Sequence, residues 1–124
     1  LYAQVCGNCH RLHSVGGTIG PDLTAYDRRN IRELALNIVD PNAYIREGYV
    51  NYLFELKDGQ TIMGTIKDQT EHHYLVTLAS GEEQDLSTAQ VNKALPQEQS
   101  LMPERLTASL TDQQIRDLLI YIQQ

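Results

Sequence analysis

The sequence predicts a mainly α domain carrying a small antiparallel β insertion, α+β overall. Three observations predict it. Apolar residues recur at helical spacing in three segments of the 124-residue chain, at the start, after Asp27 and at the end. Between the second and third segments β-branched and aromatic residues take over. Asp58-Gly59 and Ser80-Gly81 punctuate that middle stretch as hairpin turns do. The length suits one domain, 1–124, with the insertion at 49–88.

The first helix is expected over residues 1–10, running into a pair of cysteines. Leu1 opens the chain without a methionine, and the segment reads as the tail of an amphipathic helix cut from a longer precursor. The second helix is expected after Asp27 as N-cap, with Ile31, Leu34, Ala35 and Ile38 on one face. It should end near Asp40, because Pro41 disfavours helix in the residue before it. Thr111 and Gln114 read as a capping box for the third helix, whose apolar face is Ile115, Leu118, Leu119 and Ile122. Tyr49–Leu56, Thr61–Lys67, His73–Ala79 and Glu83–Ser87 read as two antiparallel hairpins, with Gly64 marking a bulge or a close approach. Their strand–turn pattern looks like a small Sm- or SH3-like barrel.

Composition narrows the function. Hydrophobic residues make up 41% and charged residues 21%, ordinary for a globular chain. Seven tyrosines, one phenylalanine and no tryptophan leave room for a bulky apolar ligand at the centre of a core. The net charge of −6 and the lack of a basic cluster speak against nucleic acid and suit steering toward a basic protein partner. No apolar run reaches the length of a membrane span.

The stretch "VCGNCHRLHSVGGTIGPDL" holds both cysteines, Cys6 and Cys9, with His10 directly after them. A disulfide between residues three apart closes a tiny loop and adds little by loop entropy. A thioredoxin-like dithiol expects a preceding strand, whereas this lead-in is helical. Zinc wants four ligands; Cys6, Cys9 and two of His10, His13, His72 and His73 supply the number without the usual paired-histidine spacing, and zinc stands as the alternative. The remaining reading is covalent haem, for which Cys-x-x-Cys-His is the attachment signal. On a helical turn the two thiols point the same way and reach two vinyl groups along one porphyrin edge. His10 then falls beneath the iron.

From Cys6 to Leu23 the chain resembles class I cytochrome c, in which Cys-x-x-Cys-His is followed by Gly-Pro-x-Leu, here Gly20-Pro21-Asp22-Leu23. "SLMPERLTASLTDQQIRDLLIYI" resembles the distal loop and last helix of that family. With "IVDPN" and "LKDGQTIMGTI" included, nearly the whole chain is similar to the planctomycete/verrucomicrobial-type haem-binding domain, a cytochrome c domain often found at the C-terminus of large secreted dehydrogenase-like proteins. The resemblance implies a mainly α cytochrome c fold with the β insertion. It implies one haem c per chain, held by Cys6 and Cys9, with His10 and Met102 as the axial iron ligands. It also implies that the Pro21 carbonyl orients His10 and that Leu23 packs on the haem. Met63 is the rival for the distal position, but its strand setting beside Ile62 favours core packing. His13, or His72 or His73 at a hairpin, would serve only a bis-histidine variant. Arg28, Arg29, Arg32, Tyr49 and Tyr52 are propionate partners by residue type alone. Gly16 and Gly17 read as a loop turning close to the haem, or as a plain flexible loop.

With both axial positions filled, the implied function is one-electron transfer, with no catalysis of its own. Electrons would come from a dehydrogenase module or partner and leave to a downstream carrier. The alternative is a haem-based gas sensor or peroxidase-like domain with a labile distal ligand. A third reading makes the insertion a docking surface for a partner or a second copy. Covalent haem implies a periplasmic or secreted location in a bacterium.

Overall fold

The computed structural model describes residues 1–124, which form two compact units: Leu1–Tyr44 with Met102–Gln124, and Ile45–Leu101. The mainly α expectation, and with it the mainly α cytochrome c fold, is overturned. Helix accounts for only 25% of the chain, and the largest regular structure is a five-stranded antiparallel sheet, joined by a separate two-stranded one.

The first unit explains part of the shortfall. Helix α1 covers only Tyr2–Val5, because the backbone turns at Cys6 and Gly7, whose amides both reach back to the Tyr2 carbonyl. Where a loop was expected, β1 (Arg11–Leu12) and β2 (Val15–Gly16) form a minimal hairpin. Its two turn residues, His13 and Ser14, take φ of 50° and 68°, the left-handed pair that a two-residue hairpin demands. Helix α2 (Ile31–Val39) starts three residues later than expected. Asn30, not Asp27, is its N-cap, with Oδ1 accepting from the Glu33 amide while its own Nδ2 donates to the Glu33 carboxylate. Helix α3 (Asp112–Gln123) carries the expected capping box, Thr111 and Gln114 each accepting from the other's amide. Leu34 of α2 and Leu118 and Ile122 of α3 form the buried centre of this unit. Arg28 donates from Nη1 to the Ile122 carbonyl at 2.9 Å and accepts at its own carbonyl from Gln123, which puts a cation at the negative end of α3.

The second unit is a sheet of order β6-β5-β4-β3-β7: β3 Asn51–Leu56, β4 Thr61–Gln69, β5 His73–Thr77, β6 Glu83–Ser87 and β7 Val91–Pro96. Four of these strands fall where the alternation places them. The fifth, β7, was not foreseen; Asn92 and Lys93 are weak strand formers, and pairing to β3 supplies what propensity does not. Gly59 and Gly81 take φ of 90° and 89° in the two turns, as Asp-Gly and Ser-Gly require. Phe54, Leu56, Val76 and Leu86 are buried between the strands and make a core complete in itself. Gly64 is not at a bulge. A Cβ there would meet the Val76 side chain at 2.6 Å and the Thr77 carbonyl oxygen at 2.5 Å, so the glycine allows two strands to pack closely.

Candidate functional site around the Cys6–His10 turn

The amides of Cys9 and His10 both bond to the Cys6 carbonyl, at 3.1 and 2.9 Å, so Cys6 to His10 forms one tight turn of chain. Tyr2 and Cys6 both pack on the Leu34–Leu118–Ile122 cluster, which fixes this turn against the unit's core, and Leu23 packs on the same cluster. The glycine-rich stretch then folds back over the turn. Gly17 donates to the Gly7 carbonyl and Gly20 to the Cys9 carbonyl, each at 2.8 Å. A Cβ at Gly16 would overlap the His10 carbonyl oxygen, and one at Gly17 the Asn8 carbonyl oxygen. These glycines are therefore a fitted strap, and the flexible-loop reading does not hold.

The strap ends on the histidine. Nδ1 of His10 lies 2.7 Å from the Pro21 carbonyl oxygen. A carbonyl only accepts, so Nδ1 carries a proton, and in the neutral imidazole Nε2 keeps its lone pair. Gly20 packs flat on the ring: a Cβ there would stand 2.5 Å from Cε1 and 3.0 Å from Nε2. The Tyr2 hydroxyl donates to the His10 carbonyl at 3.2 Å, and the Tyr2 ring lies 5.3 Å from that of Tyr121 on α3. Burial, with smaller contributions from Cys6, Tyr121 and Asp22, pushes the Tyr2 phenol up to about 12. Sequence reading missed Tyr2, although its place four residues before Cys6 on a helical lead-in puts both on one face. Asp22, beside Pro21, is held below the ordinary carboxylate range by the Thr24 hydroxyl and amide, then by Arg11 and His13.

Neither cysteine is in a disulfide. Burial, then the neighbouring Cys9, pushes the Cys6 thiol up to about 11, and burial raises Cys9 as well. A redox dithiol needs the opposite shift, toward thiolate at neutral pH. Nowhere do three or more His, Cys, Asp or Glu side chains gather as a metal-holding group, so the four-ligand zinc reading has no ligand set. A haem brings four nitrogens of its own and asks only two ligands of the chain, so that finding bears on zinc alone. The turn fits a covalently attached haem by its donor set: two protonated thiols on one turn, and an imidazole whose Nε2 lone pair is free while its other nitrogen is tied to a carbonyl.

Met102 belongs to the same unit, half-buried at a bend before Pro103. Met63 is not core packing: it is 46% exposed, because Ile62 takes the inward position and alternation turns Met63 out. His72 and His73 lie in the other unit, exposed, with His73 Nδ1 3.1 Å from Asp85. Among the residues named for propionates, Arg28 is engaged with α3 and Tyr52 packs on the β-unit core. The chain matches no protein-family model and no curated protein. No helix is long and apolar enough to cross a membrane.

Proposed function

We propose that the Cys6–His10 turn carries a covalently bound c-type haem and that the protein transfers single electrons through it. The observation that carries this reading is the 2.7 Å contact between His10 Nδ1 and the Pro21 carbonyl. It fixes the ring's orientation and tautomer and raises the basicity of Nε2, which is what an axial ligand needs. Cys6 and Cys9 would hold the haem through thioethers, and His10 and Met102 would ligate its iron, a pairing that would favour the reduced state. When bound, the haem supplies a one-electron couple, Fe(III)/Fe(II). Pro21 and Gly20 hold the imidazole, Leu23 and the apolar cluster behind Cys6 exclude water, and Tyr2 ties the turn to α3. The electron donor is a dehydrogenase module or partner, and covalent haem implies a periplasmic or secreted location.

The test is the purified protein's intact mass and its reduced-minus-oxidised visible spectrum. One haem mass that survives acid–organic extraction, with a sharp reduced α-band, is the expected result. Colourless protein of unmodified mass, from cells that mature other c-type cytochromes, would overturn the reading.

A further inference from the structure

Met102 opens a loop whose backbone is held in a strained form. Within that loop Arg105 takes φ of 63°, left-handed backbone that a residue other than glycine rarely adopts. Such a conformation persists only where the structure around it is fixed. On the far side the loop fixes itself. The Ala108 amide bonds to the Arg105 carbonyl at 3.1 Å, the Leu110 amide bonds to the Thr107 carbonyl at 3.0 Å, and Leu110 packs on the Leu34–Leu118–Ile122 cluster. On the near side the hold comes from a distant part of the sequence. Asn42 donates from Nδ2 to the Glu104 carboxylate at 2.7 Å, across 62 residues of chain.

Asn42 is itself firmly placed. It lies just past the end of α2, in a turn that the Ala43 amide closes on the Asp40 carbonyl at 3.1 Å, and Pro41 in that turn is buried. Pro41 and Pro103 each lock one φ, so few free torsions lie between this hydrogen bond and α2 on one side, or Met102 on the other. The bond also falls where the chain departs into the β unit, Ile45–Leu101, and returns from it. Asn42 stands just before the departure and Glu104 just after the return, so the bond clasps the two crossings together. Met102 is the first residue of the returning chain.

We propose that Asn42 is a positioning residue for Met102: through Glu104 it keeps the strained loop closed and the thioether in place. The inference rests on the haem reading for the role it gives Met102, and it adds the residue that holds Met102 to that role.

The test is imidazole binding to the oxidised, haem-loaded protein, because imidazole competes with the Met102 thioether for the distal position. Asn42→Asp sets a carboxylate against Glu104, and Glu104→Ala removes the acceptor. Each should raise the apparent imidazole affinity about fivefold or more, the scale of one hydrogen bond to a charged group. Asn42→Asp with Glu104→Gln lets the glutamine donate to the aspartate, and this reversed bond should return the affinity to the parent value. Met102→Ala removes the competitor, so Asn42→Asp should add nothing in that background. Amide spectra establish that each variant folds, and Glu104→Ala carries the test if Asn42→Asp does not fold. A bond that serves stability alone would lower the denaturant midpoint and leave imidazole affinity unmoved, which would overturn the inference. So would a rise that the reversed pair does not rescue, or one that Asn42→Asp still produces without Met102. Colourless protein sinks the haem reading, and the carbon-13 methyl signals of the two methionines then decide this one. Asn42→Asp and Glu104→Ala should move the Met102 methyl toward the position of exposed Met63 and leave Met63 unmoved. A Met102 methyl that stays where it is in both variants overturns the inference there.

Discussion

His10 is held at three points, two by hydrogen bonds and one by packing. The Pro21 carbonyl fixes Nδ1, Gly20 lies against the ring, and the Tyr2 hydroxyl takes the backbone carbonyl. Gly20→Ala would push a methyl to 2.5 Å from Cε1, so either the ring or the strap must move. The expected cost is about 1–3 kcal/mol of unfolding free energy, as for other overpacked sites. A denaturant titration measures it. Tyr2→Phe removes one hydrogen bond, worth about 1 kcal/mol. It has a further signature in alkali. The folded phenol titrates near 12 and the unfolded one near its ordinary 10, so the unfolded chain loses its proton first as pH rises. That contribution to stability is complete below pH 10 and is lost as pH climbs from about 10 to 12. The variant's stability should therefore fall less steeply over that window than the parent's, and equal slopes would show that Tyr2 is not the titrating group. Cys6, Cys9 and His10 stand out in the sequence because they fall within five residues of one another. Gly16 and Gly17 were legible only as loop glycines and Gly20 only as part of Gly-Pro-x-Leu, since the carbonyls and ring they fit against are set by tertiary folding.

Helix α3 was readable to its first residue because its signals are local, a capping threonine, its partner glutamine and a single apolar face. Helix α2 was misplaced by three residues because Asp27 and Asn30 are both good caps. Asp27 spends its carboxylate on the Arg29 amide, and only Asn30 finds a glutamate three residues on to complete the exchange. The β1–β2 hairpin left no signal at all: its strands are two residues long, and its turn is His13-Ser14 where Asn-Gly would announce it. Serine does not favour a left-handed φ and histidine only tolerates it, and the His13 amide, donating to the Thr24 hydroxyl at 2.8 Å, helps to hold them there. His13→Asn with Ser14→Gly keeps that amide and relaxes both positions. The pair should stabilise the protein by about 1 kcal/mol, seen as a higher denaturant midpoint at unchanged slope. An unchanged or lower midpoint would mean that the His13 and Ser14 side chains contribute contacts that outweigh the backbone strain.

At the scale of the molecule, the mainly α expectation failed because the helical signals were strong and few, whereas the sheet is built from many weak ones. The alternation located four strands, but a sheet of five closes only when β7 pairs to β3, a contact about forty residues apart in sequence that no local window can see. What results is two apolar clusters with no residue in common. One is Phe54, Leu56, Val76 and Leu86 with the strand side chains around them; the other is Leu34, Leu118 and Ile122 with Tyr2, Cys6 and Leu23. Only the second touches the proposed attachment turn. Cys6→Ala with Cys9→Ala should therefore affect the two units unequally. Phe54 and Val76 are 0% exposed within strands that pair on both sides, so their amides should keep slow hydrogen exchange in the variant. If the proposed haem is held by Cys6, the cluster of Leu34, Leu118 and Ile122 on which Cys6 packs would lose a neighbour, and amides of α2 and α3 should exchange at least about tenfold faster, a loss of about 1.4 kcal/mol in local opening free energy. The comparison is made between the parent as purified and the variant at the same pH. Equal acceleration in both units would mean that the protein folds as one cooperative block. No acceleration in either would mean that the first unit's core is complete without a prosthetic group, and the cysteines would then need another reason to be where they are.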